Sequence, residues 1–255
     1  MSTFRVNIDF EYELYDSSWS FEGATFRKMC QELEWLYLFM GEDGTSLSSD
    51  VNYSQMYLDF VSDISKKQID KVLLSRNAIP WWGNSFNDEE KKWNSKLTSF
   101  EISSKLGLLP AGSRIINSSQ ELDQYFQEGM VLKPPFEFSG RGFKKSKDGK
   151  VDFPVILEPW ENRTLDFGIR YDYQTKNLSI IENFNDRKGQ FRGGRLRPDL
   201  LDDLDQNILQ KIVEEYRLLG ITDSLQLDCY QTQRGIRYLV EANHRKTMGD
   251  FIKYM

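Results

Sequence analysis

The chain has 255 residues, 39% of them hydrophobic and 14% aromatic, enough to bury a core and too aromatic for a disordered chain. With 33 Lys and Arg against 39 Asp and Glu, the net charge is −6, which argues against a nucleic acid as a bulk partner. Cys30 and Cys229 lie far apart and support neither a disulfide framework nor a zinc site. The apolar run over residues 33–40 is far shorter than the ~20 residues that span a bilayer. No basic-then-apolar leader is visible, so a cytoplasmic protein without membrane attachment is expected.

In chain order, residues 4–10 alternate apolar and polar, as a strand does. Residues 21–40 carry apolar positions at helical spacing and stop at Gly41. A Gly- and Ser-rich loop follows to Asp50, then a helix over 53–69 and a short strand over 71–75. Pro80-Trp81-Trp82-Gly83-Asn84 is a turn whose tryptophans read as a hydrophobic plug. Asn87 caps a helix with Asp88, Glu89 and Glu90 in its first turn, running to about Leu106.

Residues 114–117 and 130–133 read as strands flanking a short helix over 119–127, and the stretch to Asp186 is strand-rich. Residues 199–219 form an amphipathic helix closed by Gly220. Residues 225–230 and 236–243 form a hairpin around Gln233-Arg234-Gly235. A break near Trp93 divides a small α/β domain, 1–92, from a β-rich domain, 93–255.

The charge is uneven. Residues 133–197 carry 14 Lys and Arg against 9 Asp and Glu. A basic middle in an acidic chain suits a focused site for a small anion, or equally a solvated pair of basic loops.

The hairpin carries the most chemistry. Alternate residues of a strand share a face. If the turn centres on Arg234-Gly235, Asp228 sits opposite Glu241, and Asn243 shares the face of Glu241. Opposed carboxylates repel unless a cation joins them, and carboxylate and amide oxygens are hard ligands of the kind Mg²⁺ takes. The alternative is an ordinary exposed hairpin with scattered acids.

Val131-Leu132-Lys133-Pro134 ends an apolar strand on a lysine, and Ser139-Gly140-Arg141-Gly142 lets a backbone approach a phosphate closely. The spacing is neither a P-loop nor a dinucleotide fingerprint. Val155-Ile156-Leu157-Glu158-Pro159-Trp160 offers an apolar slot for a flat ring, or is a core strand leaving its sheet.

Taken in order, these motifs resemble the ATP-grasp superfamily of carboxylate–amine and carboxylate–thiol ligases, with a glutathione-synthetase-type ATP-binding domain. The resemblance covers about Trp93 to the C-terminus. It rests on Asn94-Ser95-Lys96, Lys105-Leu106-Gly107, Val131-Leu132-Lys133-Pro134, Ser139-Gly140-Arg141-Gly142, Leu157-Glu158-Pro159-Trp160, Asp228, and Glu241-Ala242-Asn243-His244-Arg245.

The resemblance implies an α/β (α+β) chain in which two β-rich subdomains sandwich ATP, preceded by a small α/β N-terminal domain. Lys96 and Lys133 would contact phosphates, with Ser139, Gly140, Arg141 and Gly142 folding over them. Glu158, Pro159 and Trp160 would lie beside adenine, and Asp166 near the ribose. Asp228, Glu241 and Asn243 would hold one or two Mg²⁺ ions, Mn²⁺ serving as a substitute. Arg245, Arg170 and Lys133 would face the transferred phosphoryl. The stretch 189–194 resembles the substrate-proximal loop of glutamate ligases, which makes Arg187, Arg192, Gly193 and Arg195 candidates for substrate contact.

The activity implied is ATP-dependent activation of a carboxylate as acyl phosphate for an amine or thiol. The partners would be small-molecule or peptide acids and amines, and a homodimer is compatible with the sequence. The alternatives are an ATP-grasp phosphotransferase and a non-catalytic nucleotide-binding or interaction protein. The basic loop over 187–197 could also bind RNA or be simply solvated. His244, the one histidine, alternates away from Glu241 and Asn243 and reads as structural; Cys229 reads as core.

Overall fold

The computed structural model describes residues 2–8, 10–15, 24–72, 77–83, 87–137, 142–186 and 191–252. The chain divides into two units, Met1–Phe86 and Asn87–Met255. The helix that opens at Asp88 therefore belongs to the second unit, which begins at Asn87, six residues ahead of the boundary expected at Trp93.

The first unit runs β1 (Thr3–Arg5), α1 (Phe10–Tyr15), α2 (Ala24–Met40), β2 (Thr45–Ser48), α3 (Gln55–Ser65), β3 (Ile69–Val72) and β4 (Ile79–Pro80). Its four strands are parallel, in the order β3-β2-β1-β4. The strand expected over 4–10 stops at Arg5 because Asn7 is fully buried and turns the chain. Its side chain donates to the Gly83 carbonyl at 2.9 Å and accepts from the Trp82 N–H at 2.9 Å. Trp81 and Trp82 are buried, Trp81 edge-on to Tyr37 at 5.1 Å, so the turn is the hydrophobic plug expected.

The second unit runs α4 (Asp88–Trp93), α5 (Lys96–Lys105), β5 (Arg114–Ile116), α6 (Ser119–Tyr125), β6 (Met130–Lys133), β7 (Val155–Pro159), β8 (Leu165–Asp172), β9 (Leu178–Asn185), β10 (Phe191–Leu196), a 3₁₀ turn (Pro198–Asp203), α7 (Gln206–Leu218), β11 (Ser224–Thr232), β12 (Gly235–Asn243) and α8 (Met248–Ile252). Two helices expected as single pieces are each broken by a second cap. Ser95 is extended and accepts from the Leu97 N–H, which separates α4 from α5. Asp205 accepts from the N–H groups of Asn207 and Ile208, which starts α7 after the 3₁₀ turn.

β5, β7 and β6 form a three-stranded antiparallel sheet; β10-β9-β8-β11-β12 form a five-stranded one. On one face of the larger sheet Phe167, Ile169, Leu225, Leu227 and Cys229 pack against Leu209, Ile212, Val213 and Tyr216 of α7. The free edge of β12 is covered by α5. Ser99 Oγ accepts the Ala242 N–H at 3.1 Å and lies 2.8 Å from the Tyr216 hydroxyl. No described helix is long and apolar enough to cross a membrane.

Candidate functional site

Because side chains alternate, the face of the five-stranded sheet away from α7 carries the polar residues. Gln226 opposes Arg170 and Asn243, Asp228 opposes Gly168 and Glu241, and Tyr230 opposes Asp166 and Arg237. Asp228, Glu241 and Asn243 are thus brought to one face, as the alternation expected, and Asp166 and Arg170 lie on the same face. The turn is one residue earlier than expected: Thr232 opposes Gly235, and an irregularity between Asp228 and Tyr230 restores the Asp228–Glu241 pairing.

Asp228 accepts from Gln226 Nε2 at 3.0 Å and from Asn243 Nδ2 at 3.2 Å. Burial and the negative charge of Glu241 push its carboxyl well above the usual range. Burial works the same way on Glu241, but the Lys96 ammonium outweighs it and holds that carboxyl low. The pair therefore keeps one proton more readily than either acid would alone.

Lys96 opens α5. Its N–H donates to the Pro135 carbonyl at 2.9 Å, which aims the first turn at the loop after β6. Its Nζ pairs with Glu241 and lies 3.9 Å from Glu137 Oε1. Burial raises the Glu137 carboxyl against the pull of Lys96, and its Oε2 is buried with no hydrogen-bond partner among the described residues. Gly142 passes so close that a Cβ there would sit 2.9 Å from Glu137 Cβ and 3.0 Å from Pro134 Cγ. Only a glycine permits that approach.

Lys133, at the end of β6, pairs with Glu158 on β7, and Glu158 Oε2 also takes Arg237 Nη2 at 3.4 Å. That contact ties the smaller sheet to β12 of the larger one. Burial raises the Glu158 carboxyl, but Lys133 and Arg237 together bring it below its usual value.

The Trp160 N–H donates to the Gly129 carbonyl at 2.7 Å; its ring stacks on Phe143 at 5.4 Å and carries Lys145 Nζ 3.6 Å from its centroid. Asp166 pairs with Arg163 at 2.9 Å. Arg170 bonds Asp250 at 3.2 Å, Ser224 Oγ at 2.6 Å and the Arg245 carbonyl at 3.3 Å, which fastens α8 and the end of β12 to β8. The Arg245 charge pulls down both Asp228 and Glu241.

The β10 candidates do not join this group. Arg195 opposes Glu182, which opposes Phe167, so it lies on the α7 face of the sheet, and it pairs with Glu182 at 2.7 Å. Arg192 pairs with Asp186 at 2.7 Å, and Gly193 opposes Phe184. Ser139, Gly140, Arg141 and Arg187 lie outside the described residues.

His244 is a strut. Nδ1 lies 2.9 Å from Glu90 and Nε2 2.7 Å from Asp223, with Trp93 edge-on at 4.6 Å. Burial opposes its charge, but the two carboxylates outweigh it and raise the ring to about 9.

Sequence reasoning missed Gln226, Arg237 and Glu137. The first two were findable, since each shares parity with a residue already singled out on its strand. Glu137 sits in a loop with no periodicity to place it.

Among the described residues no cluster of three or more His, Cys, Asp or Glu has metal-binding spacing. The smaller set of Asp228, Glu241 and the Asn243 amide does fit a hard cation. The two carboxylates are directly opposed, Asn243 stands beside them with its amide on Asp228, and Lys96 supplies a positive charge next to Glu241.

No family model matches the sequence, and no curated protein matches it. Solved structures do. One is the N5-carboxyaminoimidazole synthetase of Staphylococcus aureus complexed with ADP, at 12% identity and a TM-score of 0.51, covering 79% of this chain and 59% of that one. Another is Rhizobium etli pyruvate carboxylase, at 11% identity and a TM-score of 0.51, covering 87% of this chain and 21% of that one. The chain has the ATP-grasp fold. It spans 53–59% of the length of the N5-carboxyaminoimidazole synthetases matched. In ATP-grasp terms, the three-stranded and five-stranded sheets are the two β-rich subdomains, and the polar face described above lies on the larger of them.

Proposed function

We propose that the chain is an ATP-dependent ligase that activates a carboxylate as an acyl phosphate for an amine or thiol. The observation that carries this is the pairing of Lys96 with Glu241 opposite Asp228, and of Lys133 and Arg237 with Glu158, in a chain whose two sheets have the ATP-grasp arrangement. Three cations and three acids held this closely serve no packing purpose that apolar residues would not serve better.

In this reading Lys96 and Lys133 hold phosphate oxygens, with Gly142 close by. Glu158, Pro159 and Trp160 lie beside the base, and Asp166 near the ribose. Asp228, Glu241 and Asn243 hold one or two Mg²⁺ ions, which when bound offset phosphate charge. Arg245, with Arg170 fixing its backbone, faces the transferred group.

A carboxylate oxygen of the substrate attacks the γ-phosphorus as the bond to the β,γ-bridging oxygen breaks, and ADP leaves. The amine nitrogen then attacks the acyl carbon, loses its proton, and expels inorganic phosphate. The protein positions reactants and neutralises charge rather than reacting covalently. The substrates are small-molecule or peptide acids and amines, and the compartment is the cytoplasm.

The test is ADP and phosphate release over a panel of paired acids and amines. Release only when both are present supports ligation. A stable phosphorylated product from one acceptor alone would show a phosphotransferase instead.

A further inference from the structure

Arg237 lies on β12 with its side chain 7% exposed. Its Nε donates to the Leu239 carbonyl at 3.1 Å, and its Nη2 reaches Glu158 Oε2 at 3.4 Å, a long contact. Its Nη1 is buried and has no hydrogen-bond partner among the described residues. A guanidinium cannot shed its charge to escape this. Leaving a buried donor unmet is costly, and such a group in a folded protein calls for an acceptor that arrives with a ligand.

Its place says which part of a ligand. Arg237 shares the face of Glu241, but the irregularity in the hairpin sets the two opposite Tyr230 and Asp228, only two residues apart on β11 and roughly 7 Å away at ~3.3 Å per residue. Lys96, Asp228 and Glu241 mark the phosphate end in the function proposed above. Arg237 stands the next pairing step along the hairpin, against one carboxylate oxygen of Glu158, the side chain that flanks the base and holds Lys133 on its other oxygen.

Resting on that nucleotide reading, we propose that Arg237 is a base-reading residue: its unmet Nη1–H donates to a ring nitrogen of the purine. A purine offers ring nitrogens as acceptors at a distance from its sugar that a bare polyphosphate lacks entirely.

The test is calorimetric. Mg-ATP, Mg-tripolyphosphate and the 1-, 3- and 7-deaza analogues of ATP are titrated into wild type, Arg237→Met and Arg237→Lys. Wild type is expected to lose about 10- to 100-fold in affinity for one deaza analogue, the worth of one hydrogen bond to a charged group. Arg237→Met is expected to bind ATP weaker by a similar factor, to bind that analogue no worse than it binds ATP, and to keep its tripolyphosphate affinity.

Equal weakening of ATP and tripolyphosphate would mean that Arg237 only steadies Glu158 and Lys133, and overturns the proposal. Unchanged ATP affinity in the variants overturns it too. If Arg237→Met does not fold, the wild-type titrations and Arg237→Lys decide: three deaza analogues bound as tightly as ATP overturn it. Wild type that binds tripolyphosphate and ATP alike, with no gain from the base, refutes base reading alone. Wild type that binds neither refutes the nucleotide reading with it.

Discussion

Lys96 and Glu241 form a buried ion pair that joins the first turn of α5 to β12, with side chains 7% and 23% exposed. It favours the ionised state of one acid of an opposed pair, and the charge of that acid, with burial, raises the carboxyl of the other, Asp228. Breaking such a pair from one side leaves a charge without compensation.

Lys96→Met is therefore expected to destabilise the second unit by about 3–5 kcal/mol. It strands both Glu241 and Glu137. Lys96→Met combined with Glu241→Gln is expected to recover part of that loss. Urea denaturation of the two variants checks both, and additive losses would contradict the pairing.

Asp228→Asn separates stability from function. Above the raised carboxyl range, at about pH 9, wild type carries two buried like charges side by side. The variant relieves them and should be as stable as wild type there, or more so, while its Mg²⁺-dependent ATP binding is lost. Thermal melts at that pH and titrations of Mg-ATP measure the two effects. A variant less stable than wild type at about pH 9 would show that the carboxylate serves the fold.

The first unit has its own pH dependence. Glu34 on α2 is buried and accepts from Ser49 Oγ and the Tyr53 hydroxyl; burial raises it from 4.5 to about 7. The native state then holds a proton that the unfolded state releases. Stability contributed by this group is full below the ordinary carboxylate range and falls as pH rises to about 7. Glu34→Gln should flatten that slope in denaturation curves taken across this window. A slope equal to that of wild type would assign the dependence elsewhere.

Ser99→Ala tests how α5 covers β12. The alanine removes only the hydroxyl and strips the Ala242 N–H and the Tyr216 hydroxyl of a buried partner. A loss of about 2–4 kcal/mol is expected, one to two for each group left unmet. A loss under about 1 kcal/mol would mean that water or a shift replaces the hydroxyl.

Much of this was legible in the sequence because strand parity is strict. Asp228, Glu241 and Asn243 meet although the turn lies one residue from where it was expected, since the irregularity in the hairpin corrects the register before Asp228. The helix starts at Ser95 and Asp205 were less legible. Each lies inside a run whose apolar spacing continues across it, so a cap competes with periodicity and wins locally. Arg195 illustrates the opposite limit. Its charge suggested substrate, but a one-residue difference in parity sends it to the far face, where Glu182 holds it. Glu137 is placed by the close passage of Gly142, a contact no local pattern announces.

The central claim is that the face holding Lys96, Asp228 and Glu241 binds Mg-ATP. Calorimetric titration of ATP with Mg²⁺ into wild type and Glu241→Gln tests it most directly. The expected result is saturable, Mg²⁺-dependent binding by wild type, lost in the variant while its fold is kept. Absence of ATP and ADP binding by wild type, or equal binding by both proteins, would contradict it.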